Sequence, residues 1–276
     1  LADYDAVMPT LGDLFRAEVF ADVPGARCKL LANFGVGFNH IDAAAAVAAG
    51  IAVTNTPGAV TDATADIAMT LMLMSARRAS EGERMVRAGA WEGWHPTQML
   101  GLHLSGKTVG IIGMGRIGQA IARRCHFGFG MEVLYFNRSQ KTMTFPARQV
   151  AGLTELAAQV DVLVVATPGG AQTHHLVGAE VLAAMRPHGR VINIARGDVV
   201  DEAALIAALE AGQIGGAGLD VYEFEPKVPA ALLAREDVVL LPHLGTAALD
   251  VRISMGMMVV DNLEAHFAGR ALPNPV

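Results

Sequence analysis

The sequence predicts an α/β protein built on a doubly wound parallel sheet. Three observations carry this. Val160 to Ala166 and Arg190 to Ala195 are nearly continuous apolar runs rich in β-branched residues, as strands covered on both faces require. Strand patterns alternate with helical ones from Leu104 to about Leu249, the order that βαβ crossovers need. The chain is 52% hydrophobic but only 5% aromatic, a composition that suits buried parallel strands.

Taken in order, Cys28 to Asn33 and Ile51 to Thr54 read as short strands. Ile41 to Ala49 reads as an alanine-rich helix between them, with Asp42 near its start. Ile67 to Arg78 places Ile67, Leu71 and Met74 at helical spacing and reads as a core or packing face, where a subunit contact is also expected. Strands are then expected at 108–112, 131–136, 160–166, 190–195, 216–221 and 237–241, and Arg252 to Phe267 reads as a closing helix. Two domains follow: 1–100 with 250–276, and 101–249.

The sharpest motif sits behind the strand at 108–112. Gly113, Gly115 and Gly118 form a glycine turn that opens a helix, the arrangement of a Rossmann-type dinucleotide site. Gly113 would allow the tight turn, Gly115 the close approach of a pyrophosphate, and Gly118 the packing of helix on strand. The helix N-terminus offers free N–H groups and the positive end of a dipole to the phosphates. The next strand ends in Asn137, Arg138 and Ser139, with no carboxylate to accept from a ribose 2′-hydroxyl. Arg138 would instead attract a 2′-phosphate, with Asn137 and Ser139 as hydrogen-bond donors, so NADP(H) is the expected cofactor and NAD(H) a possible one.

Three strand ends carry groups able to do chemistry: Arg196, Glu225 and His243. A nicotinamide moves a hydride but not the accompanying proton, and histidine titrates in the range a neutral-pH proton donor needs. A carboxylate beside it would favour the imidazolium, and spacing alone leaves open whether Glu223 or Glu225 is that carboxylate. A guanidinium can grip a substrate carboxylate or polarise its carbonyl.

A net charge of −6 argues against nucleic-acid or anionic-membrane partners. Two cysteines are too few for a disulfide framework, so reduced thiols and a cytoplasmic location are expected. The uncharged stretch from Ala43 to Thr61 is broken by Gly50, Asn55 and Pro57 and is not a membrane span. No metal site is expected.

From Leu30 onward the chain resembles the D-isomer-specific 2-hydroxyacid dehydrogenases, and among them the glyoxylate/hydroxypyruvate reductases. The resemblance rests on the segments 33–42, 54–58, 110–118, 193–197, 218–226 and 242–245, in that order. It implies an NADPH-dependent reduction of a small 2-keto acid: glyoxylate to glycolate, or hydroxypyruvate to D-glycerate. By resemblance, His243 is the proton donor, Glu225, just before Pro226, its acid partner, and Arg196 the anchor of the substrate carboxylate and carbonyl. The Val36 and Gly37 amides would hold the same carboxylate. Asp220 would bind the nicotinamide carboxamide. Thr167, Pro168, Ala195, Gly245 and the turn residues Arg116 and Ile117 would complete the cofactor site. The segment Gly89 to Trp94 resembles a loop whose second tryptophan, here Trp94, reaches the active site of the other subunit of a homodimer.

The resemblance also implies a smaller, flavodoxin-like substrate domain, with the active site in the cleft between domains. The chain opens in mid-pattern at Leu1, and family members usually begin with about 40 more residues, so that domain is expected to lack its first strand. Asp66 stands where the family often has Glu, and Ala248 where Thr is common; both are expected to be tolerated. Two other readings stay in play: an NAD-dependent dehydrogenase of another D-2-hydroxy acid, and a non-catalytic, dinucleotide-sensing protein of the corepressor kind.

Overall fold

The computed structural model describes all 276 residues. The chain forms two compact units, Leu1–Ala63 with Thr246–Val276, and Thr64–Gly245.

The first unit begins with β1 (Ala6–Val7), α1 (Ala17–Ala21), β2 (Leu30–Ala32), α2 (Ala43–Ala48) and β3 (Ala52–Thr54). Its three strands pair in parallel in the order β1-β2-β3. Asp42 caps α2, its carboxylate accepting the Ala45 N–H at 2.9 Å, which satisfies a donor left open by the first helical turn. β1 is too short to carry a periodic signal, and nothing in the sequence pattern marks it.

The second unit runs through α3 (Thr61–Arg77), α4 (Ala79–Arg87), β4 (Thr108–Ile112), α5 (Arg116–Phe129), β5 (Glu132–Phe136), β6 (Arg148–Gln149), α6 (Leu153–Gln159), β7 (Val162–Val165), α7 (Ala179–Ala183) and β8 (Arg190–Asn193). It continues with α8 (Glu202–Glu210), β9 (Gly216–Leu219), α9 (Ala230–Leu233) and β10 (Val238–Leu240); α10 (Leu249–Phe267) then returns to the first unit. There Val259 packs with Leu30 and Ala32 of β2.

All seven strands of the large sheet are parallel, in the order β10-β9-β8-β7-β4-β5-β6. Alternate residues explain the continuous apolar runs. Leu163 and Val165 enter a core on one face, with Val191 and Leu219, while Val162 and Val164 enter a core on the other, with Val109 and Ile111. Both faces are dry, so every position of the strand is apolar. The winding direction changes between β4 and β7, the place where a doubly wound sheet opens a crevice at its carboxyl edge.

α3 belongs to this second core. Ala65, Ala68, Leu71, Met72 and Ala76 are buried with Val109, Ile111 and Ile121, and a side chain at Gly218 of β9 would strike Leu71 Cβ at 2.9 Å. The apolar face that suggested a subunit contact is therefore occupied within the chain. The adjoining α4 buries no residue.

At the amino edge of the sheet, Asp161 is buried and accepts from Thr108 N–H (2.9 Å), Arg186 Nη1 (3.0 Å) and His188 (2.7 Å). Burial pushes this carboxyl up, but the bonds from His188, Thr108 and Arg186 outweigh it and hold it below its ordinary value. A carboxyl with a depressed folded value stabilises the fold above its unfolded pKa of about 3.9, and the contribution fades as pH falls through the folded value. Asp161→Ala should cost about 2–3 kcal/mol at pH 7, with the deficit narrowing below about pH 4. Urea melts of both proteins at neutral and acid pH check this; coincident melts at pH 7 would refute it.

Candidate active site

The turn after β4 is shaped by two glycines for internal reasons and by a third for an external one. Gly113 has φ +96°, and a Cβ there would lie 2.7 Å from Thr167 N and Cα, so the turns after β4 and β7 touch at the switch point. At Gly118 a Cβ would meet the Gly113 carbonyl at 2.1 Å. Gly115 is different. Its φ is −78° and a Cβ would meet no atom within 4 Å, so nothing in the protein demands glycine there. The open space in front of Gly115, at the N-terminus of α5, fits a phosphate group brought close to the backbone.

Asn137 at the end of β5 ties this turn to the next. Its Oδ1 accepts the Met114 N–H at 3.2 Å, and its Nδ2 donates to Ser139 O at 2.7 Å. Arg138 is exposed, with Nη1 3.3 Å from Gln172 Oε1. Thr167 and Pro168 follow β7, with Thr173 Oγ1 donating to Pro168 O at 2.8 Å.

The three chemical candidates follow three consecutive strands of the sheet, β8, β9 and β10. Arg196 stands on a turn built by Asn193, whose Nδ2 donates to Arg196 O (2.9 Å) and whose Oδ1 accepts the Ala195 N–H (3.0 Å). The Arg196 side chain bonds only the Ala195 carbonyl, at 2.7 Å, and forms no ion pair. Burial pulls its guanidinium down from its ordinary value, opposed by the charges of Glu225 and Asp198. Gly197 next to it is pressed against the backbone of Tyr222.

Glu225 Oε2 lies 2.9 Å from His243 Nδ1, and Glu225 Oε1 accepts the Tyr222 N–H at 3.1 Å. Glu225 and His243 remain 35% and 29% exposed, open enough to meet a ligand. Burial pushes the Glu225 carboxyl up, but His243, the Tyr222 N–H and Arg196 together hold it below its usual range. The geometry thus decides between the two glutamates. Glu223 turns the other way, to His175 Nε2 at 2.9 Å, and its N–H is 3.3 Å from the buried carboxyl of Glu202.

His243 has a left-handed backbone, φ +54°, a conformation that costs a non-glycine residue about 1–3 kcal/mol. Buried Asp220 holds it there. The Asp220 carbonyl accepts the His243 N–H at 2.9 Å, and its carboxylate accepts Leu244 N–H (2.6 Å) and Gly245 N–H (2.8 Å). Thr64 Oγ1 donates to Gly245 O at 3.1 Å from α3. Sequence reasoning missed these shaping roles of Asn193, Gly197, Asp220 and Thr64. Asn193 and Gly197 lie within the quoted 193–197 segment, and a buried amide at a strand end was the available signal.

The first unit carries the 33–40 loop. Asn33 Nδ2 donates to Gly35 O and Gly37 O, at 2.9 and 3.1 Å, Asn55 Nδ2 donates to Val36 O at 2.8 Å, and His40 Nε2 lies 3.0 Å from Asn33 Oδ1. These side chains take up the loop carbonyls. Trp91 and Trp94 stand 55% and 79% exposed on a segment without regular structure.

A sequence profile of the D-isomer specific 2-hydroxyacid dehydrogenase NAD binding domain matches residues 69–245. The chain belongs to this family. It is 43% identical to a glyoxylate reductase of Thermococcus gammatolerans over 280 residues, spanning 99% of this chain and 83% of that one. A hydroxyphenylpyruvate reductase of Plectranthus scutellarioides is 44% identical over 260 residues, covering 94% and 81%. Among solved structures, an NADPH-dependent glyoxylate/hydroxypyruvate reductase from Sinorhizobium meliloti, in complex with NADP and malonate, superposes with a TM-score of 0.92 at 41% identity, covering 99% and 84%. This D-2-hydroxyacid dehydrogenase family member is accordingly an oxidoreductase that uses a nicotinamide dinucleotide, and the non-catalytic reading falls away. No helix is long and apolar enough to cross a membrane.

Proposed function

We propose that the protein reduces glyoxylate and hydroxypyruvate to glycolate and D-glycerate, with NADPH preferred over NADH. One observation carries the reading: a histidine–carboxylate pair at 2.9 Å lies within electrostatic reach of an arginine that has no carboxylate of its own. The names of the similar reductases support the same substrates.

When bound, the reduced nicotinamide supplies a hydride to the keto carbon. The residues do the rest. Glu225 fixes the His243 ring by accepting from Nδ1–H, which leaves Nε2 to carry the proton delivered to the substrate oxygen. Arg196 offers its free fork to the substrate carboxylate and polarises the carbonyl. Gly113, Gly115, Arg116, Ile117 and Gly118 cradle the pyrophosphate, with Thr167, Pro168, Ala195 and Gly245 lining the nicotinamide half. Asp220 keeps lone pairs for the carboxamide beyond those spent on the 244–245 turn.

The test is the loss of nicotinamide absorbance with glyoxylate, hydroxypyruvate and pyruvate, using each reduced cofactor. Turnover with NADPH should exceed that with NADH, and Arg138→Ala should raise KM for NADPH about tenfold while leaving NADH unchanged, the loss of one charge-assisted phosphate contact. Equal use of both cofactors by the unmodified protein would overturn the cofactor assignment. Absence of turnover with any keto acid would overturn the whole reading.

A homodimer in the cytoplasm belongs to the same reading. α4 buries none of its residues, and the exposed Trp91 and Trp94 follow it directly. α4 itself is largely charged, but Val86, Trp91 and Trp94 leave large apolar side chains exposed, and such side chains are stabilised when a partner covers them. Trp94 is assigned to the active site of the other subunit. Sedimentation at twice the chain mass of 28.9 kDa is expected; a monomer at micromolar concentration would overturn it.

A further inference from the structure

The loop that follows β7 ends in two adjacent histidines that the reductase chemistry leaves unused. His174 and His175 stack with ring centroids 3.9 Å apart and 25° between their planes. His175 has φ +50°, and its N–H donates to Asp198 O at 2.7 Å. Its Nε2 lies 2.9 Å from Glu223 Oε1, and each of the three residues can present one ligand atom within 4.8 Å of the others. We propose that His174, His175 and Glu223 bind a divalent cation of the zinc class, which staples the loop after β7 to the turn after β9.

The donor set selects the class. Two imidazoles and one carboxylate suit Zn²⁺, Co²⁺ or Ni²⁺ and leave a fourth position for water, whereas Mg²⁺ and Ca²⁺ prefer all-oxygen sites. The spacing is close to what such an ion needs. Ligands about 2.1 Å from a tetrahedral metal lie about 3.4 Å from each other, so the His175–Glu223 pair must open by only a few tenths of an ångström. His174 is exposed and can turn its ring at little cost in packing.

The surroundings also fit. His175 Nδ1 lies 3.8 Å from Asp201 Oδ2, placing a second carboxylate behind the ring, as metal-bound histidines commonly have. Asp201 itself is held by capping α8, accepting the Ala204 N–H at 2.9 Å. Glu223 is 15% exposed, so the carboxylate is shielded but reachable. The site is separate from the Glu225–His243 pair, and its test does not depend on turnover.

Protein without a polyhistidine tag, stripped with EDTA, is titrated calorimetrically with ZnCl₂ and followed by visible absorption with CoCl₂. One Zn²⁺ per chain is expected, at micromolar affinity, with the d–d bands of four-coordinate Co²⁺. His174→Ala, a surface substitution that leaves the core intact, and Glu223→Gln should each weaken binding at least tenfold. MgCl₂ should give no heat. Wild-type affinity in either variant would overturn the site, as would failure of the unmodified protein to take up Zn²⁺ at millimolar concentration. Equal affinity for Mg²⁺ would overturn the assigned class of ion.

Discussion

Replacing His243 by Ala is expected to lower kcat for keto-acid reduction by about 10²–10⁴-fold, the range of a lost general acid. Affinity for the reduced cofactor should stay within about twofold, because the cradle is built on α5 and the turns after β4 and β7. The substitution isolates chemistry from folding. Alanine bears the same strain as histidine at φ +54°, and the three bonds that Asp220 makes to 243–245 are all to backbone. Glu225→Gln should give a smaller loss. It keeps an acceptor for Nδ1–H but replaces the charge-assisted hydrogen bond from the ring by a neutral one. Steady-state kinetics with cofactor titration by fluorescence decides the matter; a His243→Ala protein turning over at the unmodified rate would falsify the assignment.

Gly197→Ala is expected to damage both stability and activity. A Cβ at 197 would sit 1.8 Å from the Tyr222 carbonyl carbon and 2.3 Å from Glu223 N. Backbone cannot yield as a flexible side-chain end can, so the turn bearing Arg196 must separate from the turn bearing Glu225. A shift of about 1 Å in a catalytic group costs on the order of 10²-fold in rate. The strain should lower stability by about 2–4 kcal/mol. Thermal melts and kcat/KM measured together test this, and an alanine variant equal to the unmodified protein in both would show that the two turns are not coupled.

Much of this is legible in the sequence itself. Six of the seven strands of the large sheet, all but β6, are local hydrophobic signals, and parallel strands buried on both faces make those signals unusually continuous. The glycine turn was readable too, since strand, turn and helix are contiguous. β1 and β6 were not. Each is two residues long, and Arg148–Gln149 at the sheet edge has no apolar content to betray it. The choice between Glu223 and Glu225 was also invisible to spacing. It depends on how the 222–226 turn is folded, and on the partners His175 and His243 from distant parts of the chain. α3, read as a core or packing face, is a related case. An apolar helical face says that it is covered, not by what, and here the cover is β4, β9 and α5 of its own chain.

The order of strands in the large sheet also bears on how the enzyme can be altered. Arg138 lies at the end of β5, whereas Arg196 follows β8, and β4 and β7 stand between them. Three strand spacings of about 4.8 Å separate the two positions by about 14 Å, beyond the range at which substitutions usually couple. Changes at 137–139 that retune the choice of cofactor should therefore combine additively with changes around 196, 225 and 243 that retune the substrate. On the proposed roles of these residues, the sheet keeps the two specificities apart, so each can be engineered, or can drift, without rebuilding the other.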